Sequence, residues 1–204
     1  MTNKSIDIFL TELSSSAPVP GGGGVAALAG SLSAALCSMV AELTTGKKKY
    51  AAYQSDIERI ISEIVVLRDD IKLLIQKDAE AFEPLSKAYS IPKDEPGRDE
   101  ILENALKVAC SAPFDILKKV CEIVPYLEEL EVKGSKIALS DVGVAASMCR
   151  AAIESSALNV YINTKLMKNR EYAKNIEAEI SSLVEKNIPL CEKIYSAVKA
   201  ALIQ

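Results

Sequence analysis

Asp78 is the residue whose placement points most directly to chemistry. Apolar residues recur at three- and four-residue steps through Ile57, Ile60, Ile61, Ile64, Leu67, Ile71, Leu74 and Ile75, and the same steps reach Asp78 and then Phe82. On a helix this spacing sets the Asp78 carboxylate on the inward face. A carboxylate there pairs with a cation, accepts hydrogen bonds or lines a pocket, because leaving it bare costs several kcal/mol or drives its pKa up. Pairing is the commoner fate of a buried carboxylate; lining a pocket would make Asp78 a proton-transfer group. The chain has no histidine, which removes His-based triads, the HExxH zinc site and imidazole acid–base chemistry. Any catalysis therefore rests on other groups.

Three further sets of residues have ligand-binding chemistry. The first is the loop Ala17 to Gly24, APVPGGGG, where two prolines forbid helix up to Pro20 and the glycines allow close backbone approach. The amides around Pro20, Gly21, Gly22 and Gly23 then face an anion or a polar ligand edge, or the loop merely turns the chain. It lacks the Lys-Ser/Thr ending of a P-loop and does not fit GxGxxG after a strand, so no nucleotide site is expected. The second is Lys47, Lys48 and Lys49, which suit carboxylate partners or a solvated helix end. The third is Ser140-Asp141-x-Gly143, with Asn159 and Asn163 one turn apart further along. Ala145, Ala152, Asn159 and Asn163 share a broad face against which a heterocycle could lie, or a neighbouring helix could pack.

These residues need helices to position them. Ser5 to Leu13 reads as a short amphipathic helix, and a nearly uncharged one follows from Val25 to about Thr44, with Gly46 as its C-terminal cap. Ala27, Gly30, Ser31 and Ala34 let neighbouring backbones approach that helix, which is expected to be central. The Asp78 helix runs from about Ser55 to Tyr89, with Ser55 or Asp56 as N-cap and Pro84 kinking or ending it. After the turn at Ile91 to Gly97, an arm opening near Arg98 is interrupted by Pro113 and Pro125, giving one kinked helix or two in succession. Ser140 or Asp141 then caps a helix from Val142 to about Met167, and a last one spans about Arg170 to Leu202 with a kink at Pro189.

Composition agrees with an all-α chain forming one domain over residues 1–204. Hydrophobic residues make up 49% of it but aromatics only 5%, with no Trp, so the core is aliphatic. The formal net charge of −4 argues against a nucleic-acid partner. Five cysteines, widely spread and without a CxxC pair, read as reduced core residues of a cytoplasmic protein, with no metal site. Ser14 to Ala41 is uncharged and long enough to span a bilayer, but its Gly, Pro and Ser content fits a buried bundle helix better, so no membrane partner is expected.

In order and spacing, APVPGGGGVAALAGSLSAAL with CSMVAELTTGKKKY, KDAEAFEPLSKAYSIPK, and SDVGVAA followed by ALNVYIN resemble the cyclodeaminase/cyclohydrolase family of folate enzymes, over almost the whole chain. The resemblance implies a homodimeric all-helical bundle of long, proline-kinked helices, with a tetrahydrofolate derivative as substrate and neither metal nor nucleotide. Two reactions occur in that family: closure of 5-formiminotetrahydrofolate to 5,10-methenyltetrahydrofolate with loss of ammonia, and hydrolysis of the methenyl form to 10-formyltetrahydrofolate. The family's catalytic aspartate lies in its D-A-E-A-F block and maps onto Asp78. The glycine loop would then hold the pterin edge, Lys47 and Lys48 the glutamate tail, and Ser140, Asp141, Asn159 and Asn163 the pterin N–H and C=O groups. Two departures stand out: Gly24 replaces the serine usual after the three glycines, and Lys133-Gly134-Ser135 replaces Lys-Gly-Asn. The alternative is a non-catalytic helical dimerisation module of the same fold.

Overall fold

The computed structural model describes residues 4–203, and among these the regular structure is helical throughout. Helix α1, Ile6–Leu13, is capped by Ser5, whose Oγ accepts a 3.3 Å hydrogen bond from the Ile8 N–H. Helix α2, Gly22–Glu42, starts within the glycines rather than at Val25, because nothing prevents Gly22 to Gly24 from adopting helical geometry once Pro20 is passed. Gly46 sits beyond its end with φ at +71°, the left-handed conformation that glycine adopts without penalty.

A 3-10 turn, Lys48–Tyr53, feeds directly into α3, Gln54–Tyr89. Neither Ser55 nor Asp56 caps α3. The Gln54 side chain instead ties its start to the preceding loop, accepting from the Gly46 N–H at 2.9 Å and donating to Thr45 Oγ1 at 2.7 Å, while Asp56 pairs with Lys133 at 2.8 Å. Helix α3 continues past Pro84, which is exposed. The proline-interrupted arm is two helices, α4, Arg98–Cys121, and α5, Val124–Lys133. Pro113 lies within α4, whereas Pro125 occupies the first turn of α5, where its missing N–H forfeits no helical bond. A second 3-10 turn, Lys136–Ala138, runs straight into α6, Leu139–Thr164. Ser140 and Asp141 therefore lie inside the first turn of α6 and do not cap it. Helix α7 spans Arg170–Ile203, with Pro189 inside it.

Helices α2, α3, α4 and α6 form a ring in which each packs on the next, and α7 covers the outer side of α6. At the centre of the ring a Cβ on Gly30 would lie 2.6 Å from Val120 Cγ2 on α4, 3.3 Å from Ile71 Cγ2 on α3 and 3.8 Å from Ala152 Cβ on α6. One glycine thus marks where three helices close on α2. Ser33 Oγ donates to the Ala145 carbonyl at 2.9 Å, so this polar residue of α2 serves its contact with α6. The stripe of α3 is buried at Ile57, Ile60, Ile64, Leu67, Ile71, Leu74 and Ile75. By length and composition α2 resembles a membrane span, but more than half of its most apolar window is buried in the bundle.

Candidate active site

The register of the ring brings three helices together at the start of α2. Gly23 faces Asp78 on α3, and a Cβ at Gly23 would fall inside the Asp78 carboxylate. Gly22 faces α6, where an added Cβ would lie 2.8 Å from Asn159 Oδ1 and 2.9 Å from its Nδ2. The two glycines leave room for a carboxylate and an amide to reach the helix backbone. Gly24 contributes differently: its backbone N–H donates to Asp78, so the carboxylate itself uses an amide that the α2 N-terminus would otherwise leave open.

Among the described residues no lysine or arginine forms an ion pair with Asp78. Of the three fates open to a carboxylate on this stripe, cation pairing is absent and hydrogen bonding to Gly24 is present. Burial pushes the Asp78 carboxyl up from 3.8 to about 6, while the Gly24 N–H pulls the other way. Asp78 remains partly accessible. A carboxyl with these properties exchanges a proton close to neutral pH and can still reach a ligand.

Asn159 donates from Nδ2 to the Ser155 carbonyl at 2.8 Å, and Asn163 donates likewise to the Asn159 carbonyl at 2.8 Å. Both amides are thus anchored along α6 and neither bonds across to another helix. Asn159 is partly exposed beside Gly22, whereas Asn163 is buried.

The remaining sequence-derived residues lie elsewhere in the same chain. Ser135 N–H donates to Thr44 Oγ1 at 2.8 Å, Lys47 Nζ donates to Ser135 Oγ at 3.4 Å, and the Lys136 N–H donates to the Tyr50 hydroxyl at 2.9 Å. These bonds fix Lys47 and Lys48 beside the start of α6, with an exposed Ser140 and a partly buried Asp141. This group sits at the far end of α2, a 21-residue helix about 30 Å long. One chain therefore assembles Pro20, Gly21, Gly22, Gly23, Asp78 and Asn159 at one end and Lys47, Lys48, Ser140 and Asp141 at the other. Sequence reasoning did not single out the Gly24 N–H as the anchor of Asp78, or Tyr50 and Ser135 as braces of the second group. The positions of Gly24 and Tyr50 at the ends of their motif blocks were the available signals.

One surface depression, about 580 Å³, lies between α6 and α7 around Arg150, Glu192 and Tyr195, away from Asp78. A smaller one, about 360 Å³, lies between the Pro18–Val19 segment and α3; Ala79, next to Asp78 in the chain, and Phe82 line it, whereas Asp78 itself does not.

The chain matches known proteins over most of its length. Residues 5–182 match the family model described as formiminotransferase-cyclodeaminase. A methenyltetrahydrofolate cyclohydrolase from Methylorubrum extorquens is 38% identical over 202 residues, covering 97% of both chains. The formimidoyltransferase-cyclodeaminase of Sus scrofa is 30% identical over 190 residues, 91% of this chain but 35% of that longer protein. Among solved structures, a formiminotetrahydrofolate cyclodeaminase from Thermotoga maritima superposes with a TM-score of 0.82 at 32% identity, covering 97% of this chain and 95% of that one. The helical ring, the aspartate lodged against a glycine turn and the full-length matches place one conclusion beyond the level of motif: this chain belongs to the formiminotransferase-cyclodeaminase family.

Proposed function

We propose that this protein is a folate one-carbon enzyme acting at 5,10-methenyltetrahydrofolate, with Asp78 as its proton carrier. The observation that carries the reading is the Asp78 carboxyl itself: unpaired by any cation, raised to about 6, and held on one side by the Gly24 N–H. In hydrolysis, Asp78 takes a proton from the water that adds to the methenyl carbon. It returns that proton to N5 as the bond from carbon to N5 breaks, and the adduct's hydroxyl proton leaves to solvent as the formyl C=O forms. In ring closure, with the formimino nitrogen protonated, Asp78 takes the N10 proton as N10 attacks the formimino carbon and gives it to the amino group so formed, which leaves as ammonia. The methenyl group is cationic, so the ionised form of Asp78 also stabilises it electrostatically.

Hydrolysis is supported by the relative matched over its full length, and ring closure by the solved neighbour. Turnover of 5,10-methenyltetrahydrofolate, followed by loss of its absorbance, is to be compared with ammonia release from 5-formiminotetrahydrofolate. Faster turnover of the first assigns a cyclohydrolase and of the second a cyclodeaminase. Absence of both leaves the non-catalytic dimerisation module.

The ligand site extends to a second subunit in this reading. The open face of α2 carries Val25, Leu32 and Met39, with Leu43 just past its end, each at least 36% exposed, and that of α6 carries Val144, Leu158 and Ile162, with Leu166 two residues past its end, each at least 49% exposed. Val25, Leu32 and Met39 are seven residues apart, so they form one seam along a helix without a charged residue between Gly22 and Ala41. A homodimer with antiparallel α2 seams covers this surface and carries Lys47 and Lys48 of the partner subunit toward Asp78. There they suit the glutamate tail, while Ser140 and Asp141 of the partner subunit, with Asn159 and Asn163, suit the pterin. The five unpaired thiols support a cytoplasmic setting.

A further inference from the structure

The depression between the Pro18–Val19 segment and α3 is not used by proton transfer, and it adjoins the site through Val19, next to Pro20, and Ala79, next to Asp78. Val19 precedes Pro20, whose Cβ would stand 3.5 Å from a Cβ on Gly24. Across from it, Ala79 adjoins Asp78, and Phe82 lies one helical turn further on the same side of α3. The surface between these walls is mainly apolar, with an ion pair of Lys87 and Glu83 at 2.6 Å among its lining residues. Its volume of about 360 Å³ falls within the range of small-molecule sites.

Resting on the folate reading, we propose that this depression binds the aryl ring carried on N10 of the substrate, with Val19 and Phe82 as the opposing apolar walls. The argument is covalent. In both reactions N10 is bonded to the reacting carbon in the methenyl form, and the aryl ring is bonded to N10, so a group that serves that carbon has the ring as its near neighbour. Phe82 stands roughly 6 Å along the helix axis from Asp78, within the span of such a ring. The apolar walls gain from covering it, and its para carboxamide leaves toward solvent.

The test measures kcat/KM for 5,10-methenyltetrahydrofolate and for an analogue bearing methyl in place of the aryl group on N10. Wild type is compared with Ser86→Phe and Val19→Trp, which fill the depression from opposite walls. Both variants are expected to lower the aryl-to-methyl preference by about tenfold or more, with the circular-dichroism melt retained as the check on folding. A preference within about twofold of wild type in both folded variants overturns the aryl site. Should either variant fail to fold, competition by p-aminobenzoylglutamate against the substrate of wild type decides in its place: competitive inhibition is expected, and its absence overturns the proposal. If wild-type protein turns over neither folate, the functional reading itself fails, an outcome distinct from loss of the preference alone.

Discussion

At the scale of single residues, the three glycines that open α2 have separate tasks, and substitution tells them apart. An alanine at Gly23 drives its Cβ into the Asp78 carboxylate, the movable end of a side chain, so Gly23→Ala is expected to fold while losing about tenfold or more in kcat from misplacement of the proton carrier. At Gly24 the same Cβ meets Pro20 at 3.5 Å and Ile75 at 3.9 Å, ordinary contacts. Gly24→Ala should therefore gain about 0.5–1 kcal/mol in urea unfolding from helix propensity and keep activity. The same space accommodates a Cβ, so Gly24 is not needed to avoid a clash. Asp78 also links stability to pH. Its folded pKa of about 6 exceeds the ordinary value of 3.8, so the neutral acid is favoured by folding. The resulting stabilisation is complete below about pH 4 and is lost as pH rises through about 6. Asp78→Asn keeps an acceptor for the Gly24 N–H and has no such loss, so at pH 7.5 it should unfold at higher urea than wild type, by on the order of 2 kcal/mol, with the difference vanishing near pH 4. The position of Asp78 was legible because helical periodicity alone carries an acidic residue onto an apolar stripe; its neighbours across space were not, since no local pattern says which glycine meets which side chain.

At the scale of elements, α2 is the part on which the others are built, and Gly30 is where it is least replaceable. Gly30→Ala sets a methyl 2.6 Å from Val120 Cγ2 and 3.3 Å from Ile71 Cγ2, and Val120 and Ile71 are both fully buried. Helix propensity favours the alanine by about 1 kcal/mol, but overpacking costs about 1–3 kcal/mol. Equilibrium urea unfolding should show a net loss, and a gain in stability would refute the close approach. The long helices, their apolar faces and the small-residue character of α2 followed from the sequence. Helix starts were harder to read. Gln54 and Leu139 begin helices where stronger capping residues stand one or two positions later, because 3-10 turns and tertiary bonds such as Gly46 to Gln54 and Ser135 to Thr44 set the entry instead of a local cap, and Gly22 begins α2 within the glycines themselves.

For the whole molecule, the separation of the proposed ligand-binding residues into two groups at opposite ends of α2 is the feature the sequence could not disclose. Motif order along a chain carries no information on which end of an antiparallel pair each motif reaches, nor on a second copy. The apolar seam of α2 supplies the physical link between that separation and a dimer. Leu32, 49% exposed at the middle of the seam, gives a direct test: Leu32→Asp should shift the sedimentation coefficient to that of a monomer and raise KM, since burying an unpaired charge opposes association. A dimer unaffected by this change would move the interface elsewhere. The central claim, that Asp78 moves the proton in a folate one-carbon reaction, is tested most directly by single-turnover loss of methenyl absorbance in Asp78→Asn under saturating enzyme. A rate lower by about a hundredfold or more, with the circular-dichroism melt retained, is the predicted result; a rate within about threefold of wild type contradicts the account.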